Sequence, residues 1–595
     1  MTGNYEPEGQ APPKIGLIIL QALIWGLFCL FALRFWYLQV HKGEEFAQKA
    51  RDNQLRQESL HAPRGLIRDR NGELVAVNEP AYALGIVRED VKDMDAMLNQ
   101  VSTWTGVPRE ALDKRYAKGR RRVKSFMPMM LVPSLTFEQV ALIEANALFW
   151  PGLEIMIRPR RFYPQGPLLS HVLGYVAEAN EGELEKDSTL ALGDHVGKGG
   201  LELTMEKRLR GQKGLRQLEV DATGRRLNQR LLDLPKAGED LTLSIDLGLQ
   251  KRCTELLEGQ AGAVVVMEPF TGEVLSFVSL PSFDANWFVT GLSQKQWVSL
   301  RDDPLHPLQN RVVQSAYPPG SIFKLATGAA ILSYGIDPKE KVYCPGYYDL
   351  GRRRFRCWRH WGHGKENFVE ALQHSCDVYF YEMGNRLGID KMSSFTKACG
   401  FGEKTGISLP HERSGLIPTR EWKRKRFGRG WQGGENLNFA IGQGYTLVTP
   451  LQAARFVCSL LNGGDILVPQ LTKGTGPEMV RHLPLTKEER ELLVEAMVKT
   501  VNNGTARRLK RRDAVMGGKT GTAQVVSLKL KKGNKRRKLE EMPYEERDHA
   551  WLVSFGQKDG KSYVAACMVE HGGHGGSAAG PILKGVYDYL FGKKQ

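Results

Sequence analysis

Between Ile15 and Leu33 the chain has no charged residue, and Gln21 is the single strongly polar side chain. A run of this length is apolar on every helical face. It must be wrapped by protein or lie in a bilayer, where a lone segment satisfies its backbone only as a helix. Arg34, Trp36 and Tyr37 follow at once, residue types that anchor at a membrane interface. A buried core helix is the bland alternative, and unbroken apolarity so near the N-terminus disfavours it. A cleaved signal peptide is the other, but no clear small-x-small site follows. The expected arrangement is a short tail over residues 1–14, one uncleaved transmembrane helix over 15–36, and the bulk on the far side. Charge does not support a cytoplasmic tail, since Lys14 stands alone before the helix while Arg34, Lys42, Lys49 and Arg51 follow it. Large domains are exported regardless of such charges, so the tail-in orientation is kept on functional grounds.

At 595 residues the chain exceeds one core, and two to four domains are expected. With 42% apolar and 25% charged residues it is globular. A net charge of +17 suits nucleic acid, anionic membrane or wall polymer; a bulk outside the membrane excludes nucleic acid.

Residues 41–61 read as a polar helix continuing from the membrane. Asn71-Gly72 marks a hairpin between apolar stretches. Residues near 85–150 are mixed and helical, with Leu135–Gln139 opening a helix. Another helix starts at Gly197–Glu202, and Leu241–Ile245 alternates as a strand should. From about residue 245 the pattern changes. Ala263–Met267 and Glu273–Val278 flank a turn and read as a hairpin of buried strands. Strands recur at Ala550–Phe555 and Tyr563–Glu570, before a closing helix at Pro581–Leu590. This describes one α/β domain whose sheet is completed by late strands.

Within that domain, Ser321 and Lys324 follow a Pro-Pro-Gly elbow. Three residues apart on a helix, they share a face, pairing a weak nucleophile with a base. Ser-x-x-Lys alone is common on solvated helices and proves little. Ser375-Cys376-Asp377 and Lys519-Thr520-Gly521-Thr522 come later, in order. Serine-lysine, Ser-x-Asn and Lys-Thr-Gly together form an acyl-transfer motif set. Ser321 would attack an amide carbonyl, and Lys324, uncharged, would take its proton. Desolvation and a nearby cation, Lys519, push a lysine toward neutrality. Ser375 would relay a proton to the leaving amine. Thr520 and Thr522 share one strand face and would bind a substrate carboxylate, while Gly521 leaves room for a substrate strand. The backbone N–H groups of Ser321 and Thr522 would form the oxyanion hole.

The chain resembles the class B penicillin-binding proteins, most of all their elongation-type subgroup. Besides the three motifs, the resemblance rests on Ala62-Pro63-Arg64-Gly65, Asp69-Arg70-Asn71-Gly72, Arg161-Phe162-Tyr163-Pro164, Gly199-Gly200-Leu201-Glu202, Ile441-Gly442-Gln443-Gly444, His549-Ala550-Trp551 and the run Glu570–Gly576. It implies a multidomain α+β and α/β protein: an N-terminal transmembrane helix, an elongated mixed α/β pedestal of the dimerisation type over 37–244 with an inserted head near 85–150, and a transpeptidase domain over 245–595 built on a five-stranded antiparallel sheet flanked by helices. It further implies a peptidoglycan D,D-transpeptidase in the cell inner membrane with its bulk in the periplasm. The donor would be a stem peptide ending in D-Ala-D-Ala, the acceptor an amine of a neighbouring stem, and β-lactams would acylate Ser321. Expected partners are lipid-linked precursors and nascent glycan, a RodA-type SEDS glycosyltransferase contacted through the transmembrane helix and pedestal, and other elongation-complex proteins. Asp377 departs from the wider superfamily's Asn. The elongation subgroup shares the Asp, whose charge puts its role as a substrate ligand in doubt. A non-catalytic activator of the polymerase, a division-type transpeptidase and a β-lactamase or β-lactam sensor are the other readings.

No cofactor is required for this chemistry. Cys344, Cys357, His363 and Cys376, however, lie within 33 residues of one another, and Cys3His suits tetrahedral zinc. A Cys344–Cys357 disulfide with a free thiol, or buried thiols as small apolar groups, stays open. The resemblance implies a metal in this region. Cys29, Cys253, Cys399, Cys458 and Cys567 read as packing residues. The basic run Lys529–Lys538 reads as a solvated loop or a contact for anionic polymer. His571 and His574 are too few for a metal and would shape a loop.

Overall fold

The computed structural model describes residues 14–45, 55–220, 226–525 and 541–592. The apolar run is a helix over Lys14–Trp36, continued by a π-helical turn over Tyr37–His41. Its large apolar side chains are exposed along its length, and Ile15–His41 is long and apolar enough to cross a membrane. The chain forms two compact units, Met1–Ala62 with Gln212–Lys236, and Pro63–Gly211 with Ala237–Gln595.

In the first unit, strand Leu55–Leu60 pairs antiparallel with Gly214–Val220, which pairs with Arg226–Asp233. The expected polar helix over 41–61 is therefore corrected at its end. Its strand partner lies some 160 residues away, where no local periodicity reports it. Glu58 stands opposite Arg216 and pairs with it at 2.5 Å, a cross-strand charge pair that favours this register.

In the second unit, Asn71-Gly72 turns strand Ile67–Arg68 into Leu74–Ile86, as its sequence predicts. Leu74–Ile86 also pairs with Met129–Leu135 and Leu153–Phe162. Helix Phe137–Asn146 starts at a Thr136–Gln139 capping box. The strand expected over Leu241–Ile245 shortens to Leu241–Thr242. Helices Met94–Thr105 and Arg109–Arg120 close a separate small core around Leu84, Leu98, Leu112 and Leu131.

Three of the quoted motifs meet at one buried ionic knot. Glu202, fully buried, accepts Nε of Arg64 at 2.5 Å and Nε of Arg161 at 2.6 Å. Arg64 also reaches Glu206 at 2.6 Å, and Arg161 donates to the Gly65 carbonyl at 2.7 Å. The Asp69–Gly72 turn then joins this layer to the next. Asp69 caps its own turn through Asn71 N–H and accepts from Leu247 N–H, while Asn71 donates to Asp246.

The catalytic sheet is five-stranded and antiparallel, in the order Val274–Leu280, Gly262–Met267, Lys561–Val569, His549–Lys558, Val515–Ala523. Gly262–Met267 is buried on both faces, which explains its unbroken apolar sequence. Ala263, Val265 and Met267 enter the core shared with helix Lys324–Ser333. Val264 and Val266 pack instead with Ile582, Leu583 and Val586 of the closing helix Ala579–Leu590.

Candidate active site

The elbow before Ser321 delivers it in a tight 3-10 turn, Gly320–Phe323, that runs directly into helix Lys324–Ser333. Gly320 has φ +54°, and a Cβ there would lie 2.6 Å from the Thr522 carbonyl oxygen. The turn is thus pressed against the edge strand Val515–Ala523. Gly521 meets it from the other side, since a Cβ would lie 2.9 Å from the Pro319 carbonyl oxygen. Gly521, expected to leave room for a substrate strand, has the protein's own nucleophile turn on the side where its side chain would lie. Gly442 completes the clamp, accepting Gly320 N–H at 2.9 Å, and Gln443 donates to the Thr522 carbonyl at 3.3 Å.

The charged side chains converge behind this turn. Lys324, fully buried, donates to Asp377 Oδ1 at 2.7 Å and to the Ser375 carbonyl at 2.9 Å, with Ser375 Oγ at 3.4 Å. Lys519, equally buried, donates to the same Ser375 Oγ at 2.8 Å. One hydroxyl therefore bridges two amines. Ser375 reaches it from a left-handed backbone, φ +57°, a conformation that strains a non-glycine residue and marks a position held by its surroundings.

Expectation made Lys324 the neutral amine and Lys519 the cation beside it. Burial, reinforced by the Lys324 charge, instead holds Lys519 well below the ordinary lysine range. Lys324 has a counterion, Asp377. Burial raises the Asp377 carboxyl above its usual value, and the Lys324 ammonium opposes that shift. With Oδ2 accepting Trp358 N–H at 2.9 Å, both Asp377 oxygens are engaged inside the protein. It sits at the root of the site as a counterion, not as a ligand facing substrate. Thr520 Oγ1 donates to Thr505 Oγ1 at 2.7 Å.

Several supporting residues escaped the sequence reading. Trp358 donates its indole N–H to the Ser375 carbonyl at 3.1 Å. Trp551 donates to the Pro318 carbonyl at 3.1 Å. The Tyr317 hydroxyl donates to Glu570 at 2.6 Å, and Arg311 holds the same carboxylate at 2.9 Å. Their signal lay in the quoted motifs, of which Trp551 and Glu570 are members, but only the fold shows that both brace the nucleophile turn.

Cys344, Cys357, His363 and Cys376 do converge: their ligand atoms all lie within 4.8 Å of one another. His363 Nδ1 is 3.6 Å from both Cys344 Sγ and Cys357 Sγ. Tetrahedral zinc, with bonds of about 2.3 Å to sulfur and 2.0 Å to nitrogen, sets these ligand atoms about 3.5 Å apart. The residues fit a metal. All eight cysteines are unbridged. Cys253, Cys399, Cys458 and Cys567 are buried as packing residues, whereas Cys29 is exposed on the apolar helix. His571 shapes its turn at φ +55°, its ring 3.0 Å from the Arg547 carbonyl. The basic run Lys529–Lys538 lies outside the described residues.

Comparison with known proteins agrees with this geometry. A model of the penicillin-binding protein transpeptidase domain matches residues 262–588, and one of the penicillin-binding protein dimerisation domain matches residues 59–243. The chain is 37% identical to the peptidoglycan D,D-transpeptidase MrdA of Acinetobacter baumannii, over 97% of this chain and 86% of that protein. It is 34% identical to MrdA of Escherichia coli K12, over 93% and 90%. Penicillin-binding protein 2 of Helicobacter pylori, solved in complex with MreC, aligns with a TM-score of 0.79 at 31% identity, over 91% of this chain and all of that one. The two domain models together span residues 59–243 and 262–588, and likeness to relatives runs nearly end to end: the chain belongs to the penicillin-binding protein family and is of the penicillin-binding protein 2 type.

Proposed function

We propose that the chain is a peptidoglycan D,D-transpeptidase of cell elongation, carried in the inner membrane by the helix over 15–36. In this reading the pedestal spans 37–244 and the transpeptidase domain 245–595. The hydrogen-bonded chain Lys324–Ser375–Lys519 beside Ser321 carries the proposal. Ser321 Oγ attacks the carbonyl of the penultimate D-Ala of a stem peptide, and the terminal D-Ala leaves as its amine. The amine of a neighbouring stem then attacks the ester and frees Ser321. Lys519, kept short of protons by burial, accepts one from Lys324 through Ser375, so that Lys324 can take the Ser321 proton. Returning the proton along the same path completes the leaving amine. Ser321 and Thr522 N–H groups stabilise the oxyanion, and Thr520 and Thr522 bind the terminal carboxylate.

The test is intact mass spectrometry after exposure to a labelled penicillin. One slowly released adduct on Ser321, absent from Ser321→Ala, is expected. An adduct elsewhere, or rapid turnover of the drug, contradicts the mechanism. Full cross-linking by Ser321→Ala would favour the non-catalytic activator reading.

The helix and pedestal would engage a RodA-type polymerase, and an elongation protein of the MreC kind is a further partner, since the H. pylori relative was solved with one. The sulfur and nitrogen spacing supports zinc at Cys344, Cys357, His363 and Cys376. Bound there, it would fix the segment carrying Ser375 and Asp377, with no step of the chemistry passing through it. One equivalent of metal in purified protein is expected; a mapped Cys344–Cys357 disulfide sinks the idea.

A further inference from the structure

The glycine-rich turn after strand Lys561–Val569 crosses the sheet towards the third motif, and it carries a histidine that the reaction above does not use. It first runs over the start of strand His549–Lys558. A Cβ on Gly572 would lie 3.3 Å from the Ala550 Cβ, and Gly573 N–H donates to the Asp548 carbonyl at 2.8 Å. The turn then meets the edge strand. A Cβ on Gly575 would lie 2.5 Å from the Gly521 carbonyl oxygen, and one on Gly576 would lie 3.9 Å from Thr520 Cγ2. His574 sits between these two landings. Its carbonyl accepts Ser577 N–H at 3.1 Å, and Ala578 N–H and Ser577 Oγ at 3.0 Å. The backbone is thus pinned on both sides, while the side chain is exposed and its ring has no partner among the described residues.

Strand register fixes what stands beside His574. Ala550 pairs with Thr522, and directly paired residues of an antiparallel ladder share a face. The Thr522 side chain is therefore on the face that the turn crosses, as is that of Thr520, two residues earlier. These are the two threonines that hold the terminal carboxylate in the proposed reaction. A carboxylate only accepts hydrogen bonds, and a hydroxyl has one proton to donate. Thr520 commits its own to Thr505 Oγ1 at 2.7 Å. Lys519 is engaged with Ser375 Oγ and the Thr520 carbonyl. Of the two threonines, Thr522 alone keeps a proton for substrate, and the edge strand is short of side-chain donors where a carboxylate needs them.

Resting on the transpeptidase reading above, we propose that His574 is a specificity-determining residue: its imidazole N–H joins the Thr522 hydroxyl on the C-terminal carboxylate of the donor stem. The pinned turn sets a donor where the edge strand lacks one. It thereby favours substrates, peptide or β-lactam, that present a free carboxylate at that place. A neutral imidazole is enough, since it carries one N–H, and a hydrogen bond to a carboxylate is stronger than one to a neutral group. His574 takes no part in moving the Ser321 proton, which passes through Lys324, Ser375 and Lys519.

The test compares a fluorescent penicillin bearing its free carboxylate with the methyl ester of the same drug, as second-order acylation rates on the full chain in detergent micelles. Wild type should favour the acid. His574→Ala should lower the acid-to-ester rate ratio about tenfold, the size of one hydrogen bond to a charged group, and His574→Gln, which keeps an N–H donor, should bring it back to within about threefold of wild type. A fold defect slows both drugs alike and leaves the ratio unmoved, so the ratio also answers for a destabilised variant. If His574→Ala does not fold, the bulkier His574→Leu takes its place. A ratio unchanged by loss of the imidazole, or a fall that His574→Gln does not reverse, overturns the proposal. Failure of wild type to acquire the Ser321 adduct from the free acid would instead overturn the transpeptidase reading.

Discussion

Replacing Glu202 by Gln keeps the shape of the ionic knot and removes its charge. Arg161, with a side chain 2% exposed, would lose the one carboxylate on its Nε and keep at most a neutral amide oxygen there. Arg64 keeps Glu206. Leaving one buried guanidinium uncompensated costs about 3–5 kcal/mol. The size of the thermal shift depends on what melts with the knot. The unit holding it also holds the transpeptidase domain, about 500 residues. Unfolding entropy near 2.1 cal/mol/K per residue then gives about 1 kcal/mol per degree, so a shift of about 3–5 °C. If residues 63–211 melted alone, about 150 residues would give a separate transition lowered by about 10–16 °C. Differential scanning calorimetry separates the cases, and bocillin labelling during the melt reports on the active site. The contacts of Asp69 and Asn71 with Leu247 and Asp246 favour the first: one transition, lowered 3–5 °C, with labelling lost in step. Glu202→Gln melting within about 1 °C of wild type would refute the reasoning about the knot.

Gly320→Ala places a methyl 2.6 Å from the Thr522 oxygen at a positive φ. Displacing Ser321 by an ångström should slow penicillin acylation about 100-fold, read by stopped-flow with a fluorescent β-lactam; a loss under threefold would show that the clamp is slack. His171 is held down to about 4 by burial, and His549 likewise to about 4 by burial and His571. Since both lie below the unfolded value near 6.5, the unfolded chain takes up protons first. Their stabilisation is whole above pH 6.5 and is lost as pH falls through 4, about 3 kcal/mol for His171 alone. Melting temperatures from pH 7 to 4 should fall, and His171→Phe should flatten the slope. Stripping metal with a strong chelator should lower acylation at least tenfold through Ser375 and Asp377, with recovery on adding zinc; unchanged kinetics in verified metal-free protein would separate the cluster from catalysis.

Much of this site was legible because each motif is constrained locally. The Pro-Pro-Gly elbow needs no partner to be an elbow, and the two-faced burial of Gly262–Met267 writes itself as unbroken apolarity. Legibility failed where a residue's meaning lay in something distant. Leu55–Leu60 is a strand because of Gly214–Val220. The charge of Asp377 puts a substrate-ligand role in doubt, but the role it takes instead, counterion to Lys324 53 residues earlier, shows only in the fold. Gly521 reads as room for a ligand until the Pro319 carbonyl is found against it. That Lys519 is held well below the ordinary lysine range is likewise a property of its burial and its cationic neighbour, which spacing does not encode.

The order of strands in the catalytic sheet has a consequence for the chain in time. Gly262 pairs with Val569 and Lys519 with Val553, so strand Gly262–Met267 and the strand bearing the third motif are joined in the sheet through two strands that come after both in the chain. A chain made only as far as the third motif holds Ser321 and Lys324 but has no His549–Val569 hairpin to seat the Lys519 strand. Until it arrives, Gly262–Met267 keeps an open edge, a hazard for mispairing. Contacts this remote in sequence also form slowly. Reactivity therefore arrives at completion and not gradually, and an interrupted nascent chain is unable to acylate itself on the wall or on a drug.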